Sequence, residues 1–318
     1  MRQAEPGLTL DLLLILRQRI EALPPGDYSP GLRSVVHHVE VAAQHFVRGG
    51  TTSDEAAFTD AIYRTNQAFE GSLKEAYRVI AEKDPGNVRP FDIEQFFHKH
   101  SLLRARVLAQ LSNYRTEWRN PAAHDYRLDF NEDEALLAIV SVCAFAIVLI
   151  DQVTEKLSFN AARATRQPIQ LPNPSKPLAD QVADALQQFR TSSTALVPEG
   201  AREVEVVGAL AGYLTSAIPG STIDTEPHLG DSGRPDLLVS RGQERLIVEL
   251  KRSGHSFEIH RRQVVSQVAH YVAMSGITEG LIYVYGGDAE AEIVREEHQL
   301  PGVRARIVTL WPRREKKK

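Results

Sequence analysis

Three residues late in the chain have the types and spacing to work on a phosphodiester: Asp236, Glu249 and Lys251. Two apolar runs, Asp236–Ser240 and Arg245–Arg252, flank Arg241-Gly242-Gln243-Glu244, a hairpin signal. If those four residues form the loop, Ser240 faces Arg245, and counting back sets Asp236 opposite Glu249. Directly opposed residues share a face of the sheet, and two carboxylates there repel unless a cation lies between them. The expectation is a divalent site of oxygen ligands suited to magnesium or manganese, with the Leu250 carbonyl as a further ligand. Lys251 lies two residues past Glu249, on the same face, where it can orient a water or offset developing charge. The competing reading is an exposed cross-strand arrangement in which Lys251 neutralises two surface acids.

Flanking residues extend the set. Glu203 shares a helical stripe with Val207, Leu210 and Leu214, although a first-turn acid is also favoured by the helix dipole. Gln267 and Tyr271, four apart, occupy one face of a following helix. Arg261 and Arg262, with His255 and His260, form either a phosphate-contacting patch or a solvated basic face. In this order the residues resemble the PD-(D/E)xK nuclease superfamily over about the last 120 residues. Pro235-Asp236 matches its first acid, Glu249-Leu250-Lys251 its ExK element, Glu203 the acid of the preceding helix, and Gln267/Tyr271 the QxxxY motif of some branches. The resemblance implies a restriction-endonuclease-like α/β fold and metal-dependent cleavage of DNA, less often RNA, with Gln267 and Tyr271 supporting nucleic-acid binding.

A second constellation is Arg119-Asn120-Pro121-Ala122-Ala123-His124. Arginine gives a forked cation suited to phosphate, and histidine moves a proton near neutral pH. Together they can cleave RNA without metal: a base activates the ribose 2′-hydroxyl while arginine stabilises the developing charge. Asn-Pro disfavours continued helix, so the backbone is expected to break or kink here, with Arg119 to Asn131 as a loop. The bland alternative is an Arg119–acid surface pair and a helix-capping His124. Set before a long helix in an all-helical half, Arg119, Asn120 and His124 resemble the motif of the HEPN ribonucleases. That resemblance covers roughly residues 1–160 and implies a composite active site, a homodimer through the helical domain, and no cofactor there.

The elements that must position these groups follow from periodicity. Leu8–Leu23 and Ser34–Val47 read as helices, the second ending at Gly49-Gly50. Thr52 with Glu55 signals a capping box before a helix reaching about Glu82. Phe91–Trp118 gives one or two more. Asn131 with Glu134 signals another capping box, before an apolar helix from Ala135 to about Leu157. Residues 1–160 are thus expected to be an all-α bundle, 161–177 a proline-rich linker, and 178–318 an α/β domain with a mixed sheet. In the last part, helices are expected over Leu178–Phe189, Ala201–Ile218, Phe257–Met274 and Ala289–His298. Strands are expected over Ile223–Glu226, Leu281–Tyr285 and Ala305–Leu310, besides the hairpin.

With 318 residues, 42% hydrophobic and 25% charged, the composition is that of a globular protein long enough for two domains. A net charge of -4 supplies no global pull toward nucleic acid, so any contact must be local. A single cysteine, Cys143, excludes an intrachain disulfide. The apolar run Ala135–Ile150 is shorter than the ~20 residues of a membrane span and reads as a buried helix. The N-terminus lacks a signal-peptide pattern, and a cytoplasmic location is expected. His37, His38, His45, His98 and His100 complete no metal-site spacing.

Together the two resemblances imply a nuclease acting on DNA and RNA through two sites, a combination that suits bacterial defence against phage or plasmids. The alternatives are a DNA endonuclease whose helical half only dimerises it, and a nucleic-acid-binding protein without catalysis.

Overall fold

The computed structural model describes residues 11–124, 129–165, 170–192, 197, 200–230, 233–287, 291–299 and 305–313. The chain divides into two compact units, Met1–Thr154 and Glu155–Lys318.

The first unit is helical. Helix α1 (Leu12–Glu21) is capped by Asp11, whose carboxylate accepts from the Leu14 amide at 2.9 Å. Helix α2 (Ser29–Thr52) runs through the glycines expected to stop it. Gly49 is buried, and a Cβ there would sit 2.6 Å from the Phe58 ring, so the glycine serves close packing rather than termination. The Thr52/Glu55 capping box does not form. Thr52 Oγ1 donates back to the Arg48 carbonyl, and α3 (Ala56–Ile80) begins after Glu55 without a side-chain cap. Helices α4 (Pro90–His100) and α5 (Ala105–Tyr114) follow.

At Asn120-Pro121 the helical run is distorted but not broken, and of the expected loop Asn120–His124 is helical while 129–131 is not. A π-helical turn, Arg115–Arg119, joins α5 to α6 (Asn120–His124), and Asn120 itself is α-helical at φ −69°, ψ −47°. Proline has no N–H for the ordinary bond four residues back. One residue earlier the Asn120 amide reaches five residues back to the Arg115 carbonyl, and this widened turn lets the helical run continue.

The second expected capping box does form. Asn131 Oδ1 accepts from the Glu134 amide at 3.0 Å, and Glu134 Oε2 accepts from the Asn131 amide at 2.9 Å. It opens α7 (Glu132–Ala164). The helix extends past Leu157 into the expected linker, so the boundary between units falls inside α7 instead of after residue 160. By length and composition α7 is long and apolar enough to cross a membrane. Here it buries Ala135, Ala138, Val142, Phe145, Ala146 and Leu149, among others, in the helical core.

The second unit has a six-stranded sheet in the order β1-β2-β3-β4-β6-β5, from β1 (Thr222–Thr225), β2 (Leu237–Arg241), β3 (Glu244–Arg252), β4 (Glu279–Tyr285), β5 (Ile293–His298) and β6 (Arg306–Pro312). The pairs β3/β4 and β4/β6 are parallel and the others antiparallel, giving a mixed sheet. On one face α8 (Leu178–Ser192) and α9 (Glu203–Ala217) pack against Leu237, Val239, Leu246, Val248 and Leu250. Gly208 and Gly212 let α9 approach the backbone of Glu155 and Phe159, where a Cβ would meet carbonyl oxygens at 2.2 and 2.3 Å. On the other face α10 (His255–Ser275) packs against Leu238, Ile247, Ile282 and Val284.

The helix expected over Ala289–His298 is not found: Ile293–His298 is edge strand β5, paired with β6. Its glutamates favour helix, but Arg295 pairs with Asp180 on α8, and Glu297 with Arg306 on the neighbouring strand β6. Tertiary pairing overrides the local preference.

Candidate active sites

In the sheet unit, alternation fixes which side chains meet. Leu246, Val248 and Leu250 of β3 pack toward α8 and α9, so Glu249 and Lys251 point toward α10. On β2, Leu237 and Val239 take the first face and Leu238 the second, which puts Asp236 on the α10 side as well. The pairing runs Ser240↔Arg245 to Leu237↔Val248, and one further step sets Asp236 opposite Glu249. The turn itself is two residues, Gly242-Gln243, not four: Arg241 and Glu244 pair too. Lengthening each strand by one residue preserves the register. Gly242 supplies the positive φ, +59°, that the turn requires.

Glu249 is 3% exposed, which is incompatible with a surface acid merely neutralised by a lysine. Its Oε1 accepts from Lys251 Nζ at 2.7 Å and from Gln267 Nε2 at 3.1 Å. Gln267 in turn lies 2.6 Å from the Tyr271 hydroxyl, so both α10 residues join the site. The second oxygen, Oε2, is buried without a hydrogen bond of good geometry. The nearest help is the Asp236 backbone amide, which draws the Glu249 pKa down. Asp236 Oδ2 accepts from the Leu250 amide at 2.5 Å.

The electrostatics follow from crowding two acids in a dry place. Burial, then the charge of Glu249, push the Asp236 carboxyl up to about 7, against the Leu250 amide and Lys251. Burial also raises Glu249, opposed first by its bond to Lys251. Burial alone would lower Lys251, but the bond to Glu249 and the charges of Glu249, Asp236 and Glu203 carry it above its usual value.

A pH dependence follows for the metal-free protein. Folded Asp236 holds its proton to higher pH than the unfolded chain does, so between about pH 4 and 7 the folded state binds more protons. Its stabilising contribution is complete below the unfolded pKa and is lost as pH rises through the folded one. Glu249 acts in the same direction. Thermal unfolding in chelator should therefore show stability falling over this window, by on the order of 2–4 kcal/mol. In Asp236→Asn that decline should be much reduced.

Other expected residues are placed differently. Glu203, first residue of α9, is exposed, while Val207, Leu210 and Leu214 of its stripe are buried. Its charge nonetheless acts on Asp236, Glu249 and Lys251. Glu205 is the capping residue, its Oε2 accepting from the Arg202 amide at 2.7 Å. Arg261 is occupied elsewhere: it pairs with Glu296 and lies 4.8 Å over the Trp311 ring. Arg262 is exposed on α10. The side chain of His255 lies outside the described residues.

Sequence spacing did not reveal Gly233. Its φ is +100°, and a Cβ there would meet the Tyr271 ring at 2.7 Å, so it lets the segment before Asp236 close onto α10. A glycine just before Arg234-Pro235-Asp236 was the visible signal.

In the helical unit, Arg119 Nε donates to Glu70 Oε1 on α3 at 3.2 Å, and Nη1 to Asn120 Oδ1 at 3.3 Å. The α5 end of this run is pinned to α3 by the Tyr114 hydroxyl, which donates to Thr65 Oγ1 at 2.7 Å. Ala122 of α6 is buried with Ile62 and Ala138. His124 ends α6, and its side chain lies outside the described residues. Glu70 was one acid among many in the sequence and carried no signal.

The chain matches no protein-family model, no curated protein and no solved structure. Among the described residues, no group of three or more His, Cys, Asp or Glu side chains could hold a metal by itself.

Proposed function

We propose that the protein is a nuclease whose sheet unit cleaves DNA at Asp236, Glu249 and Lys251. One observation carries this: a carboxylate only 3% exposed, with one oxygen lacking a well-formed hydrogen bond, stands opposite a second, half-buried carboxyl. Such a pair is costly unless a cation completes it. Two carboxylates fit magnesium, which keeps several waters and borrows substrate phosphates rather than using an all-protein cage. Asp236 and Glu249 would hold the ion, with the Leu250 carbonyl as a further ligand. When bound, it supplies Lewis acidity toward a phosphodiester.

The chain's own groups do the rest. Lys251, held 2.7 Å from Glu249 Oε1, presents a cation beside the two acids that can orient a water and offset charge on the phosphate. Gln267 fixes the Glu249 carboxylate, and Tyr271 fixes Gln267. The exposed α10 surface bearing Arg262 offers a backbone contact to DNA.

A second reading concerns the helical unit: metal-independent cleavage of RNA by Arg119, Asn120 and His124. The observation favouring it is that Asn120 and Glu70 hold the Arg119 guanidinium at the wall of a cleft of about 500 Å³. This reading includes a homodimer through the helical unit and a role in bacterial defence.

The test offers purified protein labelled DNA and RNA, with magnesium and with chelator. Magnesium-dependent DNA cleavage supports the first site, and chelator-resistant RNA cleavage the second. Activity on neither substrate in either buffer contradicts both and favours a binding protein.

A further inference from the structure

The cleft beside Arg119 contains more than the ribonuclease-like motif uses. Phe91, at the start of α4, lines it and is 53% exposed. The guanidinium of Arg115 lies 6.0 Å from the centre of that ring. Glu94, 2% exposed, sits in the same wall. It forms an ion pair with Arg115 at 2.6 Å and accepts from Ser112 at 3.1 Å, so its charge is answered within the wall. Arg89, 81% exposed, and Arg119 supply the outer cations, partnered by Asp92 and Glu70 at the surface.

Each feature narrows the ligand. Phe91 is about half exposed beside the Arg115 guanidinium and offers a stacking face. Arg89 and Arg119, each ion-paired with an acid at the surface, have forked donors that can turn to a phosphate. A simple anion would not need the ring. The volume is that of a small-molecule site rather than a flat surface.

We propose that this cleft binds one nucleotide unit, free or as part of single-stranded RNA, with its base on Phe91 and its phosphate between Arg89 and Arg119. The inference deepens the ribonuclease reading of the helical unit and rests on it.

The test uses the full-length protein in chelator, titrated with AMP, adenosine, inorganic phosphate and a short fluorescein-labelled oligoribonucleotide. Phe91→Ala should weaken AMP and the oligoribonucleotide about tenfold and leave phosphate unaffected. Arg89→Ala should weaken AMP and phosphate and flatten the salt dependence for the oligoribonucleotide. Both positions are exposed, and circular dichroism verifies that the fold is retained. Tighter binding of the oligoribonucleotide than of AMP identifies a strand as the natural ligand; equal binding identifies a free nucleotide. Binding that is absent, or unchanged in both variants, overturns the proposal. If His124-dependent RNA cleavage persists in that case, the cleft alone is wrong. If AMP binds through Phe91 and no RNA is cleaved, the cleft stands and the ribonuclease reading fails.

Discussion

Asp236→Asn is expected to lower magnesium-dependent DNA cleavage by on the order of 10³-fold, and Glu249→Gln by a similar amount. The two acids face each other, so each supplies half of the negative charge that would hold the cation. Loss of folding is not the expected cause. Both substitutions keep shape; Asp236→Asn removes a half-buried carboxyl that burial and the Glu249 charge already disfavour as an anion, while Glu249→Gln keeps an oxygen to accept from Lys251 at the cost of their ion pair. Metal-free Asp236→Asn should be at least as stable as the parent protein near pH 8. Gln267→Ala should cost less, about 10–100-fold, because Gln267 orients Glu249 and is not itself one of the two acids. Single-turnover cleavage of labelled duplex, run beside thermal unfolding of each variant, checks the set. DNA cleavage that survives Asp236→Asn would remove this site from the chemistry.

Arg119→Ala and His124→Ala are each expected to reduce chelator-resistant RNA cleavage by about 10²–10⁴-fold while leaving DNA cleavage unchanged. Arg119 is held by Glu70, so Glu70→Gln should produce a smaller loss through misplacement of the guanidinium. The π-helical turn gives this site a distinctive sensitivity. Pro121 withholds one amide from the helix, and the Asn120 amide reaches Arg115 instead. Pro121→Ala should let an ordinary α-turn compete, turning Arg119 away from Glu70. Quantified cleavage of labelled RNA in chelator measures these effects, and unchanged cleavage in both Arg119→Ala and His124→Ala would leave the helical unit without a catalytic role.

The geometry of the sheet site was legible because strand alternation has a strict period of two. Counting across the hairpin gave the shared face of Asp236, Glu249 and Lys251 even though the turn is two residues shorter than expected. Gln267 and Tyr271 were legible from helical spacing, and both reach Glu249 or its partner. Other features depend on distant partners that local patterns do not encode. The segment Ile293–His298 has helix-forming acids, yet its charges find Asp180 and Arg306 and it becomes an edge strand. Arg261 read as a phosphate contact or part of a solvated basic face, but Glu296 and Trp311, distant in sequence, engage it. Gly49-Gly50 read as a helix stop, but the side chain that decides otherwise, Phe58, belongs to the next helix. Asn120-Pro121 read as a break or kink, and the rule for residues before proline does not tell which: a π-turn takes up the distortion and the helix continues.

The most direct test is calorimetric titration of the full-length chain with manganese near pH 7, in buffers of different ionisation enthalpy. One ion should bind per chain, and binding should release protons, because a carboxyl raised to about 7 must ionise to hold it. Both the binding and the proton release should disappear in Asp236→Asn. Manganese binding that is absent from the parent protein, or equally tight in Asp236→Asn, would contradict a cation site between Asp236 and Glu249.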